Sequence, residues 1–265
     1  MNKPIKRNIQ KDYHLKNKAH TYGSTIMLCL AFCVFLLSGV KASTQGVSLK
    51  FHVRGVYESK ITLLPLTGTN ALKPITVISD IKNGISDSII FPNAYLPGEF
   101  VLRFDYKEIE SSAPYPCEKH IVVGTQNLEL WANPMYCGNS DSTYFQKDEK
   151  ENTAFAQFAN ENAQQKEKLA LLQTFLLNYD DTHSKVYRQG IKEYKKRRNN
   201  YMLWLEEQTA LHKALFVSHT FQFQYVPQID FKCSESGRVQ NVLAHYFDGI
   251  DFKDTLLLHT QALKE

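Results

Sequence analysis

The sequence predicts an α+β protein, in which an N-terminal antiparallel β-sandwich or barrel-like domain is followed by an α-helical hairpin region. Residues 47–134 contain short segments of alternating apolar residues separated by turn residues, which is typical of antiparallel sheets. Beyond residue 138 the apolar side chains recur every three or four residues, as they do along one side of a helix. With 265 residues and 43% hydrophobic side chains, the chain has enough apolar surface for a packed core.

Residues 1–42 have the pattern of an export signal. Residues 1–24 are polar and basic, Ile26–Leu37 is an uncharged apolar run, and small residues at Val40 and Ala42 fit a signal-peptidase site. We therefore expect a signal peptide cleaved near Ala42, and a location in the periplasm or cell envelope of a bacterial-type cell. A retained inner-membrane anchor is the alternative, because the basic region before the apolar run is long. In either case we expect the protein to contact the membrane only through this segment.

The basic surplus of the chain lies in the same segment. Seven of the 31 Lys and Arg residues and one of the 27 Asp and Glu residues precede residue 43, so residues 43–265 carry 24 basic and 26 acidic side chains. Bulk charge therefore gives no indication of nucleic-acid binding.

The predicted β-rich domain covers residues 43–137. Its clearest strand is Phe100–Tyr106, in which Phe100, Leu102 and Phe104 share one side. Pro65 indicates a strand edge or a bulge, and Asn83-Gly84 indicates a tight turn. The other predicted strands are Val47–Val56, Ile61–Leu66, Ile75–Ile78, Ser88–Phe91, Ile121–Val123 and Leu128–Leu130.

A small and polar stretch at 138–148 predicts a linker, after which 149–265 forms the helical region. The apolar spacing predicts a pair of long helices that form a hairpin, followed by two short helices. The four predicted helices span about 150–178, 185–217, 237–247 and 254–263.

Three cysteines remain outside the apolar run. In an oxidising compartment Cys117 and Cys137 could form a disulfide, which would leave Cys233 as a free thiol, although each of the three could equally be a buried apolar side chain. The chain has no C-x-x-C, no nucleophile elbow and no phosphate-binding glycine loop. We therefore predict no catalytic residue and no cofactor.

Two charged clusters allow a functional and a structural interpretation. The cluster Lys192, Lys195, Lys196, Arg197 and Arg198 could bind an anionic partner, but a solvated helix side paired with Glu161 and Glu167 is the favoured interpretation. A second cluster, of histidine and aspartate residues near the end of the sequence, contains side chains that can bind metals, but its spacing matches no defined metal site. Asp254 is well placed as a helix N-cap instead. We therefore predict no metal. These late residues are His245, Asp248, Asp251, Asp254 and His259.

The stretches Phe51–Gly55, Pro97–Phe100 and Leu128–Leu130 resemble parts of the β-rich domain of exported TlpA-like thioredoxin-family proteins of the Bacteroides group. The most specific stretch, 245–254 followed by Leu256–Thr260, resembles the signature that precedes the thioredoxin domain. The signature residues here are His245, Phe247, Asp248, Asp251, Phe252 and Asp254.

The resemblance implies the N-terminal half of such a protein: a signal peptide, a β-rich domain of unknown function and a helical region. The redox cysteine pair of the family lies in the thioredoxin domain, and no position of this sequence matches it. Short tripeptides also resemble the O-glycosylation acceptor of exported proteins in the same group. Their hydroxyl residues are Ser88, Ser142 and Thr255.

We therefore expect a non-catalytic periplasmic accessory or binding module associated with thioredoxin-like thiol-disulfide oxidoreductases, either as a truncated member or as a separate copy. The expected partner is a thioredoxin-like domain or an envelope protein. One alternative is a thiol enzyme that uses Cys117 or Cys233 alone. The other is an envelope structural or adhesion protein.

Overall fold

Residues 46–263, which the computed structural model of this protein describes, form two four-stranded sheets followed by helices. The chain is thus an α+β protein with an N-terminal β domain, and Gly46–Glu265 makes one compact unit. The predicted signal or anchor at 1–42 lies outside the described residues. Among the helices of this described part, none combines the length and the apolar character that are needed to cross a bilayer.

The first sheet has the strand order β4-β1-β7-β8. Its strands are β1 (Ser48–Val53), β4 (Ser86–Ile90), β7 (Leu128–Ala132) and β8 (Tyr144–Phe145). The pair β1–β7 is parallel and the other two pairs are antiparallel, so the sheet is antiparallel-rich rather than purely antiparallel. Alternation of apolar residues cannot reveal this difference, because side chains alternate in the same way in both directions of pairing.

The second sheet has the strand order β3-β2-β5-β6 and is antiparallel throughout. Its strands are β2 (Glu58–Pro65), β3 (Thr76–Lys82), β5 (Gly98–Lys107) and β6 (Tyr115–Val123). Pro65 is the last residue of β2, where its missing N–H costs no ladder hydrogen bond. The predicted strand edge or bulge at Pro65 is wrong, because β2 is an interior strand between β3 and β5. A bulge or irregularity in β2 lies instead between Ser59 and Ile61.

The core of the β domain lies between the two sheets. Alternate residues of β1, such as Phe51, pack with alternate residues of β5, such as Phe100 and Phe104, and all three are fully buried. This contact of two sheets through their apolar sides is the layered arrangement of a sandwich. Cys117 on β6 and Cys137 just after β7 are joined in a disulfide that links one sheet to the other.

The helical region begins directly after the β domain. It contains α1 (Glu151–Asn178), α2 (Lys185–Leu211), α3 (Ser218–Phe221) and α4 (Glu235–Ala244), with 3₁₀ turns at Gln222–Gln224, Thr255–His259 and Gln261–Leu263. The two long helices form the predicted hairpin. Its buried seam contains Phe158, Leu169 and Leu176 from α1 and Tyr187, Tyr194, Tyr201 and Leu205 from α2.

The second predicted helix was too long. It ends at Leu211 rather than at 217, where the His212 N–H caps it by donating to the Ala210 and Gln208 carbonyls. The chain continues in turns, in which Lys213 and Leu215 donate to carbonyl groups three residues earlier. Beyond these turns the N–H groups of Phe216 and Val217 donate to the Glu151 carboxylate at 3.0 and 2.9 Å, rather than to carbonyl groups four residues earlier as in a helix.

The last predicted helix and the predicted linker also differ from the structure. Residues 254–263 form 3₁₀ turns, since a segment this short gains little from α-helical propagation. The linker at 138–148 contains β8, and the hydroxyl of buried Thr143 both accepts from the Asn133 N–H and donates to the Asn133 carbonyl. This stretch is therefore an edge of the first sheet.

Asn152 joins the helices to the second sheet. Its side-chain amide accepts from the Val122 N–H and donates to the Val122 carbonyl, each at 2.8 Å. At the end of the described chain, Glu99 on β5 accepts from the Gln261 N–H at 2.9 Å and lies 2.8 Å from His120 Nε2. The β domain and the helical region thus share an ordered boundary.

Candidate functional site

The signature segment, residues 245–254, begins where α4 ends. His245 is the C-cap of this helix, and its Nδ1 lies 2.7 Å from a carboxylate oxygen of Asp248. Gly249 adopts a φ of +83°, a left-handed backbone conformation that glycine adopts at least cost. The segment therefore turns back sharply toward the rest of the helical region.

Three aromatic residues of this segment point to solvent, and we call them the aromatic patch: Tyr246, Phe247 and Phe252. Their exposed fractions are 55%, 53% and 62%. The Phe247 ring stands nearly perpendicular to that of Tyr246 at 4.9 Å and is tilted by 68° against that of Phe252 at 5.6 Å. A group of exposed aromatic rings of this kind is a candidate binding surface.

The other end of the segment is fastened to α3 and the turn that follows it. A carboxylate oxygen of Asp254 is hydrogen-bonded to His219 Nδ1, and the other oxygen accepts from the Leu256 N–H at 3.0 Å. The Asp251 N–H donates to the Gln222 side chain at 3.1 Å. These contacts hold the segment in place while its aromatic rings remain free.

A cleft of about 490 Å³ lies between the signature segment and α2, and we call it the signature cleft. Its apolar wall comes from α2, and its polar groups come from both sides. The apolar residues include Met202, Leu205 and Ala210, and the charged ones are Glu206, Lys213, Asp248 and Asp254, with His219 beside them. Such a volume can hold a small molecule or a few side chains of a partner.

The cleft contains an acid–base pair without a placed nucleophile. Asp254 orients Nδ1 of His219, which is the arrangement of a general base with its positioning carboxylate. The three hydroxyls on the cleft wall are otherwise engaged, since Ser218 Oγ donates to the Leu215 carbonyl and Thr209 Oγ1 to the Leu205 carbonyl, each at 2.9 Å. The Tyr225 hydroxyl accepts from the Arg198 guanidinium at 3.2 Å. The geometry suits binding better than covalent chemistry.

The late acidic and histidine residues are arranged in pairs rather than as one cluster. Asp248 pairs with His245, whereas Asp254 pairs with His219, a residue that the sequence reading had not considered. Within residues 46–263, no group of three or more His, Cys, Asp or Glu side chains is placed to hold a metal ion.

The thiols do not offer an activated nucleophile. Cys117 and Cys137 are bonded to each other, and Cys233 is free and exposed. The negative charge of Asp230, whose carboxylate lies 3.6 Å from the sulfur, raises the pKa of Cys233. A catalytic cysteine requires the opposite shift, because the thiolate is the reactive form.

The predicted glycosylation residues lie at three separate places. Ser88 is exposed on β4, Ser142 is half-buried in the turn before β8, and Thr255 is exposed at the start of a 3₁₀ turn. Their modification stays a prediction.

Sequence reasoning missed the residues that hold the signature segment, namely His219 and Gln222. They precede the segment by about thirty residues, and no local pattern connects them to it. Only the fold brings them together. Comparison with protein-family models, with curated proteins and with solved structures gave no match.

Proposed function

We propose that this protein is a non-catalytic accessory or binding module of the periplasm or cell envelope, and that it engages a thioredoxin-like domain through the signature segment. The observation that carries the proposal is the aromatic patch, in which three signature-segment rings are more than half exposed beside an open cleft. Burial of these rings against a partner would be favourable, because transfer of apolar surface out of water lowers the free energy.

The thiols support the non-catalytic part of the proposal. The free thiol of Cys233 has a raised pKa, and a dithiol of the C-x-x-C type is absent from the sequence. A purified unit of residues 46–265 should therefore show no turnover in an insulin reduction assay. Turnover that disappears in Cys233→Ser would replace this proposal with the single-cysteine enzyme.

The binding part is tested with a purified TlpA-like thioredoxin domain as the probe. Isothermal titration should detect its binding to residues 46–265, and Phe247→Ala with Phe252→Ala should weaken that binding by roughly tenfold or more, as for hot-spot aromatic residues. The matched control is Leu171→Ala with Leu211→Ala, which removes two apolar side chains that are 65% and 71% exposed elsewhere. Equal losses in both pairs, or no binding at all, would contradict the proposal.

An envelope structural or adhesion role is the second candidate, because an aromatic patch also serves such proteins. It predicts that the patch binds envelope preparations lacking any thioredoxin-like protein. Loss of that binding in Phe247→Ala with Phe252→Ala, together with no binding to the purified domain, would favour this role instead.

A further inference from the structure

Five basic residues form a line along one side of α2, and we call them the basic stripe: Lys185, Arg188, Lys192, Lys195 and Lys196. Successive members are mostly three or four residues apart, the spacing that places residues on one side of a helix. All five are exposed, whereas Tyr187, Tyr194 and Tyr201 are buried on the opposite side. At 1.5 Å per residue the stripe is roughly 16 Å long.

The stripe is largely without counter-charges. None of its five side chains forms an ion pair with any residue between 46 and 263, and the expected partner Glu161 instead accepts a hydrogen bond from Gln165. Lys195 does act on Asp230, because its positive charge helps to lower the pKa of that carboxylate. The cluster is thus mostly a solvated helix side as expected, but its expected pairing with Glu161 and Glu167 does not occur among the described residues. Of the cluster named in the sequence, Arg197 pairs with Glu193 at 2.7 Å and Arg198 donates to the Val226 carbonyl at 2.9 Å.

This charge pattern weakens the helix that carries it. Basic residues three and four apart repel each other, as in the pairs Lys185–Arg188 and Lys192–Lys196. The stripe occupies the N-terminal half of α2, while Glu206 and Glu207 lie near its C-terminus, which is the unfavourable orientation with respect to the helix dipole. The first turn has no acidic residue and the last turn has no basic one. Helix stability therefore does not explain the stripe.

We propose that the basic stripe binds the surface of an anionic lipid bilayer. The stripe lies on the side of α2 opposite the buried tyrosines of the hairpin seam. The outer side of a single helix can lie against a flat surface but cannot enclose a peptide. Four of the five residues are lysines, which act as mobile point charges rather than as planar forks for a single carboxylate. Lysine is depleted at protein–protein interfaces, whereas basic residues near an anionic membrane each add attraction.

The proposal goes beyond the proposed function and changes one expectation drawn from the sequence. The N-terminal segment was expected to be the sole contact with the membrane. In this proposal the helical region also contacts the bilayer, through the stripe.

Vesicle co-sedimentation of residues 46–265, the compact unit that contains both hydrophobic cores, tests the proposal. The probes are vesicles of phosphatidylcholine alone and of phosphatidylcholine with about one-third phosphatidylglycerol. We expect binding only to the anionic vesicles, with a steep loss between low and high salt. The variant Arg188→Gln, Lys192→Gln, Lys195→Gln should lose about tenfold or more of its partition coefficient.

The matched control is Lys60→Gln, Lys73→Gln, Lys147→Gln, which removes the same charge at exposed positions of the β domain and its edge. Its binding should fall far less than that of the stripe variant. Equal losses in the two variants, or equal binding to neutral vesicles, would overturn the proposal. Tighter binding to soluble poly-glutamate or to a short DNA duplex than to anionic vesicles would also overturn it, in favour of another polyanion.

Thermal unfolding separates loss of binding from loss of fold. Because the stripe opposes the helix dipole, its neutralisation should leave the melting temperature unchanged or raise it slightly. A stripe variant that melts clearly below the control variant would contradict the account of the stripe as a functional rather than a stabilising feature.

Discussion

At the scale of the residue, Asn152 completes the hydrogen bonding of a sheet edge. Its amide faces Val122 of β6 in the way a further strand would, with one bond accepted and one donated. Asn152 and Val122 are both buried, so no water replaces these bonds. A buried backbone group that loses its partner costs about 1–3 kcal/mol.

We predict that Asn152→Ala lowers the free energy of unfolding by about 2–4 kcal/mol, because the N–H and the carbonyl of Val122 both lose their partner. Urea denaturation of residues 46–265 measures it. Asn178→Ala serves as the control, since Asn178 lies at the other end of α1 and its exposed amide donates only to the Thr174 carbonyl. The two substitutions should differ severalfold, and similar small effects would show that Asn152 does not hold the two halves together.

The raised pKa of Glu151, the residue before Asn152, should make the free energy of unfolding depend on pH. Burial raises its pKa above the ordinary value of 4.5, although the N–H groups of Val217 and Phe216 act in the opposite direction. The folded state therefore holds this proton more tightly than the unfolded state, and stability falls as the pH rises from about 4.5 through the raised pKa.

The test compares the wild-type protein with Glu151→Gln at several pH values between 4 and 7 by urea denaturation. The difference in unfolding free energy, wild type minus variant, should decrease as the pH rises, because only the wild type carries the titrating group. A difference that increases with pH would mean that the two backbone donors, rather than burial, determine the pKa of Glu151.

At the scale of the element, local periodicity located seven of the strands and the two long helices, because each of them buries one regular side. It missed β8, which has two residues, and it could not reveal that β1 and β7 are parallel. It also placed the end of α2 too late, since the turns that follow Leu211 depend in part on Glu151, which accepts from the Phe216 N–H across 65 residues of chain. The same holds for the candidate site. The signature residues are contiguous and could be found from the sequence, whereas His219 and Gln222, which hold the segment, are distant in the sequence and could not.

Gly190 determines how closely the two long helices approach. A side chain at this position would begin 3.0 Å from Leu176 and 3.2 Å from Phe175 on α1. We predict that Gly190→Val lowers the free energy of unfolding by about 1–3 kcal/mol through overpacking, even though glycine is a poor helix former.

The control for this prediction is Gln189→Val, which introduces the same β-branched side chain at the neighbouring exposed position of α2. Chemical denaturation should show a small effect for Gln189→Val and a large one for Gly190→Val. A stabilised Gly190→Val protein would mean that Leu176 and Phe175 move aside without cost.

At the scale of the whole molecule, the β domain depends on links between its sheets. The bond between Cys117 and Cys137 connects β6 of the second sheet to the end of β7 in the first, across 20 residues of chain. In the entropic account, a cross-linked loop of this size lowers the conformational entropy of the unfolded chain and so raises the free energy of unfolding by about 3 kcal/mol.

We therefore predict that Cys117→Ala with Cys137→Ala lowers the free energy of unfolding by about 3 kcal/mol. The wild-type protein should lose a similar amount when a reductant is added, whereas the double variant should not respond to it. Cys233→Ala is the control and should behave like the wild type. A reductant that leaves the wild-type unfolding midpoint unchanged would contradict the role of this bond.

The parallel pairing of β1 with β7 has a consequence for how the chain is made. Ser48 at the start of β1 contacts Asn127, which follows 79 residues later. At about 5–20 residues per second, a growing chain therefore waits roughly 4–16 s before the second neighbour of β1 has emerged from the ribosome. Until then one edge of the first sheet is open to other chains. A chain truncated before residue 128 and released should therefore aggregate or recruit chaperones, whereas one truncated after residue 145 and released has the whole domain available.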